Sequence, residues 1–125
     1  MEQMPSPGYG GRSMKVENTK AQMRKGVLEY CILGVLAQGE LYPGDIISKL
    51  KDAKLIVVEG TLYPLLTRLK DSGLLTYRWE ESRSGPPRKY YRLTTVGEKF
   101  LNELDQTWDE LSQAVKKTTR RNAQR

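Results

Sequence analysis

The stretch that decides the fold runs from Glu59 to Leu75 and reads EGTLYPLLTRLKDSGLL. Leu62, Leu65, Leu66 and Leu69 follow the i, i+3, i+4, i+7 spacing of a short amphipathic helix. A start near Gly60 or Thr61 keeps Pro64 close to the first turn. There the missing N–H costs less than the roughly 3 kcal/mol of an interior proline. Gly73, after Ser72, suits the left-handed residue that follows a last helical turn. At about 100° per residue the leucines share one side. Gly60, Pro64 and Thr67 point the other way, flanked by Thr61 and Arg68. That outer face is small, polar and basic. Taken alone it would suit an ordinary surface helix; the neighbouring segments point to a helix that lies in a DNA major groove.

Downstream, Leu75, Tyr77 and Trp79 alternate with Thr76, Arg78 and Glu80, the period of a strand with one buried face. Ser82-Arg83-Ser84-Gly85-Pro86-Pro87 reads as turn throughout, and Arg88 to Leu93 as the returning strand. Arg83, Arg88, Lys89 and Arg92 occur here with no acid between Ser82 and Glu98, so the hairpin tip is expected to be flexible and basic. Such charge also protects a hairpin edge from aggregation. Thr94 is a cap candidate for the next helix, and Thr95 with Glu98 a candidate capping box. Leu101, Leu104, Trp108, Leu111 and Val115 then recur in heptad fashion. This seam asks for a partner helix and predicts a homodimer.

Upstream, a first helix is expected from about Lys20 to Gln38. Val27, Cys31 and Val35 form one ridge, Leu28, Ile32 and Leu36 the next, and Leu33 widens the stripe. Tyr42-Pro43-Gly44-Asp45 opens a second helix that runs to about Ala53. Proline suits its first turn, and Asp45 the positive end of the dipole. Leu55 to Val58 is a β-branched run, read as a short edge strand. Residues 1–19, rich in proline and glycine, read as a mobile arm; Arg12, Lys15 and Lys20 read as solvated charge, with phosphate contact as the alternative.

Composition narrows the chemistry. The 125 residues carry a net charge of +6, which favours a polyanion. There is no histidine and only one cysteine, Cys31. An internal disulfide and a His/Cys metal site are therefore excluded, and so are nucleophile–histidine pairs. No enzyme and no cofactor are expected. No segment is apolar enough to span a bilayer, so the expected location is cytoplasmic.

Short helices, a basic hairpin and a long terminal helix describe a mainly α (α+β) winged helix-turn-helix. The boundaries read as an arm at 1–19, the winged helix at 20–94, the dimerisation helix at 95–118 and a basic tail at 119–125. In addition, GTLYPLLTRLKDSGLL at 60–75, GPPRKYYRLT at 85–94 and Gly97 resemble the PadR family of bacterial transcriptional regulators, over about Gly26 to Leu111. The single C-terminal helix resembles the family's smaller subfamily.

The resemblance implies a dimeric repressor that binds double-stranded DNA at inverted-repeat operators, with the last helix holding the dimer. Thr61, Pro64 and Thr67 would face base edges, with Tyr63 and Arg68 at the groove wall and Tyr42 a further DNA-binding residue. Arg83, Arg88 and Lys89 would meet phosphates or a minor groove, with Gly85 allowing close approach. Leu104, Trp108 and Leu111 would lie between subunits. In multidrug-sensing members a tryptophan on the last helix stacks on a flat aromatic effector, and Trp108 falls at the matching place. Against this stands plain dimer-core packing of Trp108. The rival function is a winged helix that binds protein and not specific DNA.

Overall fold

The computed structural model describes residues 15–120. The elements are α1 (Val16–Leu36), α2 (Pro43–Asp52), α3 (Glu59–Asp71), β1 (Leu75–Ser82), β2 (Gly85–Leu93) and α4 (Thr95–Thr119). This is the winged helix expected: a small helical core, an antiparallel hairpin and a long last helix. The core gathers Leu28, Ile32, Leu33 and Leu36 of α1 with Ile46 and Leu50 of α2 and Leu62, Leu66 and Leu69 of α3. Leu75, Tyr91, Leu93 and Leu101 close it from the hairpin and α4. Each fully buried leucine contributes about 1.5–3 kcal/mol through removal from water.

Several junctions follow from identifiable residues. Gly73 takes φ 84, and Leu74 N–H donates to the Leu69 carbonyl at 3.0 Å, so α3 ends as its sequence predicts. Lys54 plays the same part after α2 at φ 71, with Leu55 N–H on the Leu50 carbonyl at 2.8 Å; a lysine carries no signal for that conformation. Thr94, not Thr95, caps α4: its hydroxyl accepts from Gly97 N–H at 2.9 Å and donates to the Gly73 carbonyl at 2.6 Å. Gly97 is packed so closely that an added Cβ would lie 2.1 Å from the Leu74 carbonyl oxygen. This glycine seats α4 directly on the turn that ends α3.

Four boundaries differ from expectation. Helix α1 begins at Val16, inside the expected arm, and residues up to Gly26 are exposed. With no apolar periodicity there, the sequence gives no sign of the helix. Residues 1–14, with Arg12, and 121–125 lie outside the described residues. Leu55 to Val58 is not a strand; Val57 plugs the core from a loop while Ile56 and Val58 face outward. Of its β-branched residues only Val57 is buried, and none of them pairs in a strand. Helix α3 starts at Glu59, which puts Pro64 inside it. The carbonyl left without a donor is that of Gly60, on the exposed side, where water can satisfy it. Finally, the strands reach Ser82 and Gly85, leaving only Arg83 and Ser84 as the turn. Pro86 and Pro87 belong to β2, where an open edge tolerates a missing N–H.

Candidate nucleic-acid interface

Helix α3 buries Leu62, Leu66 and Leu69 and exposes Thr61, Tyr63, Pro64, Thr67 and Arg68. The helix period therefore turns the expected reading face outward. Tyr63 lies on the flank toward the hairpin. With Glu59, Tyr42, Trp79, Arg88 and Lys89 it lines a cleft of about 320 Å³ between α3 and the wing. Arg68 lies on the opposite flank. Its guanidinium donates to Glu29 of α1 at 3.0 Å, although the side chain remains mostly exposed.

The hairpin is held against the helices by Leu41, which pairs with Tyr91 through two backbone hydrogen bonds of 3.1 and 2.7 Å. This isolated bridge delivers Tyr42 to the start of α2. The Tyr42 ring stands 5.6 Å from that of Tyr90, and the Arg88 guanidinium lies 4.4 Å from its centroid. Contacts of this kind contribute about 0.5–1 kcal/mol at exposed sites and fix the cation's direction. A Cβ on Gly44 would meet the Tyr42 ring at 2.8 Å, so glycine here makes room for it. Lys89 is half-buried, its ammonium 4.5 Å from the Tyr77 ring and 5.3 Å from that of Trp79. Arg83 is exposed at the tip. Gly85 does not take a positive φ, and an added Cβ would meet only Ser82 Oγ at 3.8 Å.

On the outer side of the hairpin Arg78 binds Glu40 at 2.8 and 2.9 Å, and also Glu80. The hydrogen bond from Arg78 holds the Glu40 carboxyl below the usual carboxylate range. These charges are paired with each other. Arg83, Arg88 and Lys89 have no acid in any described ion pair.

Trp79 departs from expectation. Alternation puts it on the buried face with Leu75 and Tyr77, yet it is 60% exposed. The hairpin outruns the core, so the same face that is buried at Leu75 emerges at Trp79. Its register partner, Lys89, is the signal that could have revealed this.

The second candidate surface lies on α4. Leu101 is buried and Leu104 half-buried, but Trp108, Leu111 and Val115 are 42%, 52% and 48% exposed. They flank a groove of about 620 Å³ whose other wall is Gln22, Met23 and Val27 of α1. Tyr30 stands beside it, 6.4 Å from the Trp108 ring, and donates to Asp105 at 2.6 Å. That hydrogen bond pushes the Tyr30 hydroxyl up to about 12. Consecutive residues of α1 thus hold α3, through Glu29, and α4, through Tyr30. Neither tie shows in the sequence, because the partners are far apart along the chain.

No described helix is long and apolar enough to cross a membrane. The chain is similar to a PadR-like transcription factor from Bacteroides fragilis, at 61% identity over 82% of this chain and 99% of that one, with a TM-score of 0.70. A PadR-family regulator from Eggerthella lenta is 33% identical over 86% of this chain and 91% of its own, with a TM-score of 0.74. Bacillus subtilis PadR, whose crystal structure contains operator DNA, is 34% identical over 62% of this chain, with a TM-score of 0.58. The match covers 46% of that longer chain, which is named a negative transcriptional regulator. The model of the transcriptional regulator PadR-like family matches residues 32–103, from the buried face of α1 through the wing into α4. Sequence and fold agree over more than half of the chain, and this protein belongs to the PadR-like family of transcriptional regulators.

Proposed function

We propose that the protein is a homodimeric repressor that binds an inverted-repeat operator through α3 and the wing. One observation carries this reading: Tyr63, on the flank of the exposed α3 face, and the hairpin cations Arg88 and Lys89 line a common cleft. Thr61, Pro64 and Thr67 meet base edges in the major groove, and Tyr42 and Tyr63 stand at its wall. Arg83, Arg88 and Lys89 hold phosphates, Gly85 lets the backbone close in, and Arg68 reaches a phosphate on the far flank. Paired α3 helices read half-sites about one DNA turn apart, roughly 10 bp. The exposed seam of Trp108, Leu111 and Val115 supports dimerisation, because so continuous an apolar stripe is normally covered. Leu104 lies at its inner end, and the groove beside α1 fits the last helix of a second copy.

A flat aromatic effector at Trp108 is the second part of the reading, supported by the exposure of that indole beside Tyr30. It changes operator affinity only by binding one dimer geometry better than another. Regulation of transcription places the protein with DNA in the cytoplasm.

The test is selection of bound fragments from genomic DNA, repeated with planar dyes and phenolic compounds present. A shared inverted repeat is the expected result, with affinity that falls steeply as salt rises. Salt-insensitive binding to protein and no enriched sequence would favour the rival interaction module. Saturable quenching of tryptophan emission by a dye, abolished in Trp108→Ala and retained in Trp79→Ala, is the expected sign of the effector site.

A further inference from the structure

We propose that the cleft between the wing and α3 seats a sugar–phosphate strand, and that Trp79 packs its indole on a deoxyribose between phosphates held by Arg88 and Lys89. This rests on the reading of the protein as a DNA binder and adds an apolar contact to it.

Four observations converge. The Trp79 indole is 60% exposed at a place where the hairpin has left the core. It is no isolated surface residue, since it lines the cleft that also receives Tyr63 from α3 and both wing cations. Lys89 faces it in the strand register and lies 5.3 Å from its ring, while Arg88 rests on Tyr42 on the other strand face. The acid in the lining, Glu59, belongs to the α3 wall and the cations Arg88 and Lys89 to the hairpin, so the potential in the cleft is more positive on the hairpin side. A polyanion is therefore drawn against the wall that carries the indole.

Chemistry selects the sugar as the partner of that ring. A phosphate gains nothing from the negative face of an indole, and the cations beside it already supply the charge. The C–H face of a deoxyribose is apolar and recurs at every nucleotide. An aromatic side chain pressed on it excludes water and reads no base. Trp79 is thus a positioning contact that sets how deeply the wing approaches the duplex, and hence the angle at which α3 enters the groove.

The experiment uses the full chain labelled with fluorotryptophan, which gives two fluorine resonances, assigned with Trp79→Phe. A mixed-sequence duplex carrying a dye is titrated in at low salt, and the bound fraction is read from dye anisotropy. The Trp79 resonance is expected to shift in step with the bound fraction. In the unlabelled protein Trp79→Thr, which keeps a strand-forming residue, is expected to bind about tenfold more weakly, and Trp79→Phe within about twofold of the native chain. The slope of log affinity against log salt is expected to stay unchanged in Trp79→Thr and to flatten by about 0.9 in Lys89→Gln.

If the duplex binds while the Trp79 resonance stays fixed and Trp79→Thr binds as the native chain does, the sugar contact is wrong and the DNA reading stands. If Trp79→Thr flattens the slope as Lys89→Gln does, the indole merely orients the lysine, and the direct contact is again overturned. If no duplex binds at low salt, this contact and the DNA reading fall together. The fluorine resonance is read on the native sequence, so loss of folding in a variant cannot decide the outcome.

Discussion

Helices α3 and α4 each leave one side uncovered, and the two sides differ in chemistry. On α3 the exposed residues are small or polar, with cations on the facing hairpin. On the outer half of α4 they are Trp108, Leu111 and Val115. Water solvates the first surface well, so it waits for a partner that brings charge. The second loses free energy in water until something apolar covers it. The two surfaces are separable by mutation.

The largest expected effect breaks the α4 side. Leu111→Glu puts a charge into the seam while touching little of the core, since Leu111 is half exposed. Sedimentation should show a monomer at micromolar concentration, with thermal stability of the fold retained apart from the missing linkage to dimerisation. Operator affinity should fall by a hundredfold or more, at about 1.4 kcal/mol per factor of ten, because one half-site no longer recruits the other. A dimer that persists would show that the stripe is covered in some other way.

Next comes the wing. Arg88→Gln with Lys89→Gln should weaken specific and non-specific binding together by roughly tenfold or more. The salt slope should flatten by about 0.9 for each phosphate that is no longer neutralised. The dimer should be untouched. An unchanged slope would mean that these cations are only solvated, and the comparison would lose its α3 half.

A smaller effect tests how the wing cations are aimed. Gly44→Ala forces the Tyr42 ring to move, because the new methyl would sit 2.8 Å from it. The ring carries the Arg88 guanidinium. Affinity is expected to fall about threefold to tenfold, matching the 0.5–1 kcal/mol scale of an exposed cation–π contact plus some misplacement of Arg88. Tyr42→Phe, which keeps the ring, should cost much less. Equal losses in the two variants would point to the Tyr42 hydroxyl in place of the rack.

What the sequence made legible follows the range of the interactions. Leucine spacing in α3, Gly73, the hairpin and the helical run of α4 are local patterns, and the structure reproduces them. The run Leu55 to Val58 misleads because β-branched side chains suit a core plug as well as a strand. Pro86 and Pro87 mislead because a two-stranded hairpin has edges that accept proline. Trp79 is hidden because alternation gives the face of a strand but not where the core ends. The ties of Glu29 to Arg68 and of Tyr30 to Asp105 span 39 and 75 residues, beyond any local pattern.

Arg68 ties α3 to α1, and it carries the smallest predicted effect. From the sequence it belongs to the groove wall; in the structure its guanidinium rests on Glu29 of α1, whose neighbour Tyr30 holds α4. An exposed ion pair of this kind stabilises by about 0–1 kcal/mol and exchanges readily. If a phosphate replaces Glu29 when DNA arrives, Arg68→Ala should weaken binding about threefold on all sequences and lower the salt slope by about 0.9, the value of one phosphate. Glu29→Gln should then act in the opposite direction, since it frees the arginine and removes a nearby negative charge. A guanine contact would instead show as a loss of about 1–3 kcal/mol confined to one operator position. Should Arg68→Ala leave affinity on every duplex unchanged and only lower the melting temperature slightly, Arg68 is a strut between α3 and α1. The DNA surface would then end at Thr67, and α1 would feel the DNA only through the packing of the core.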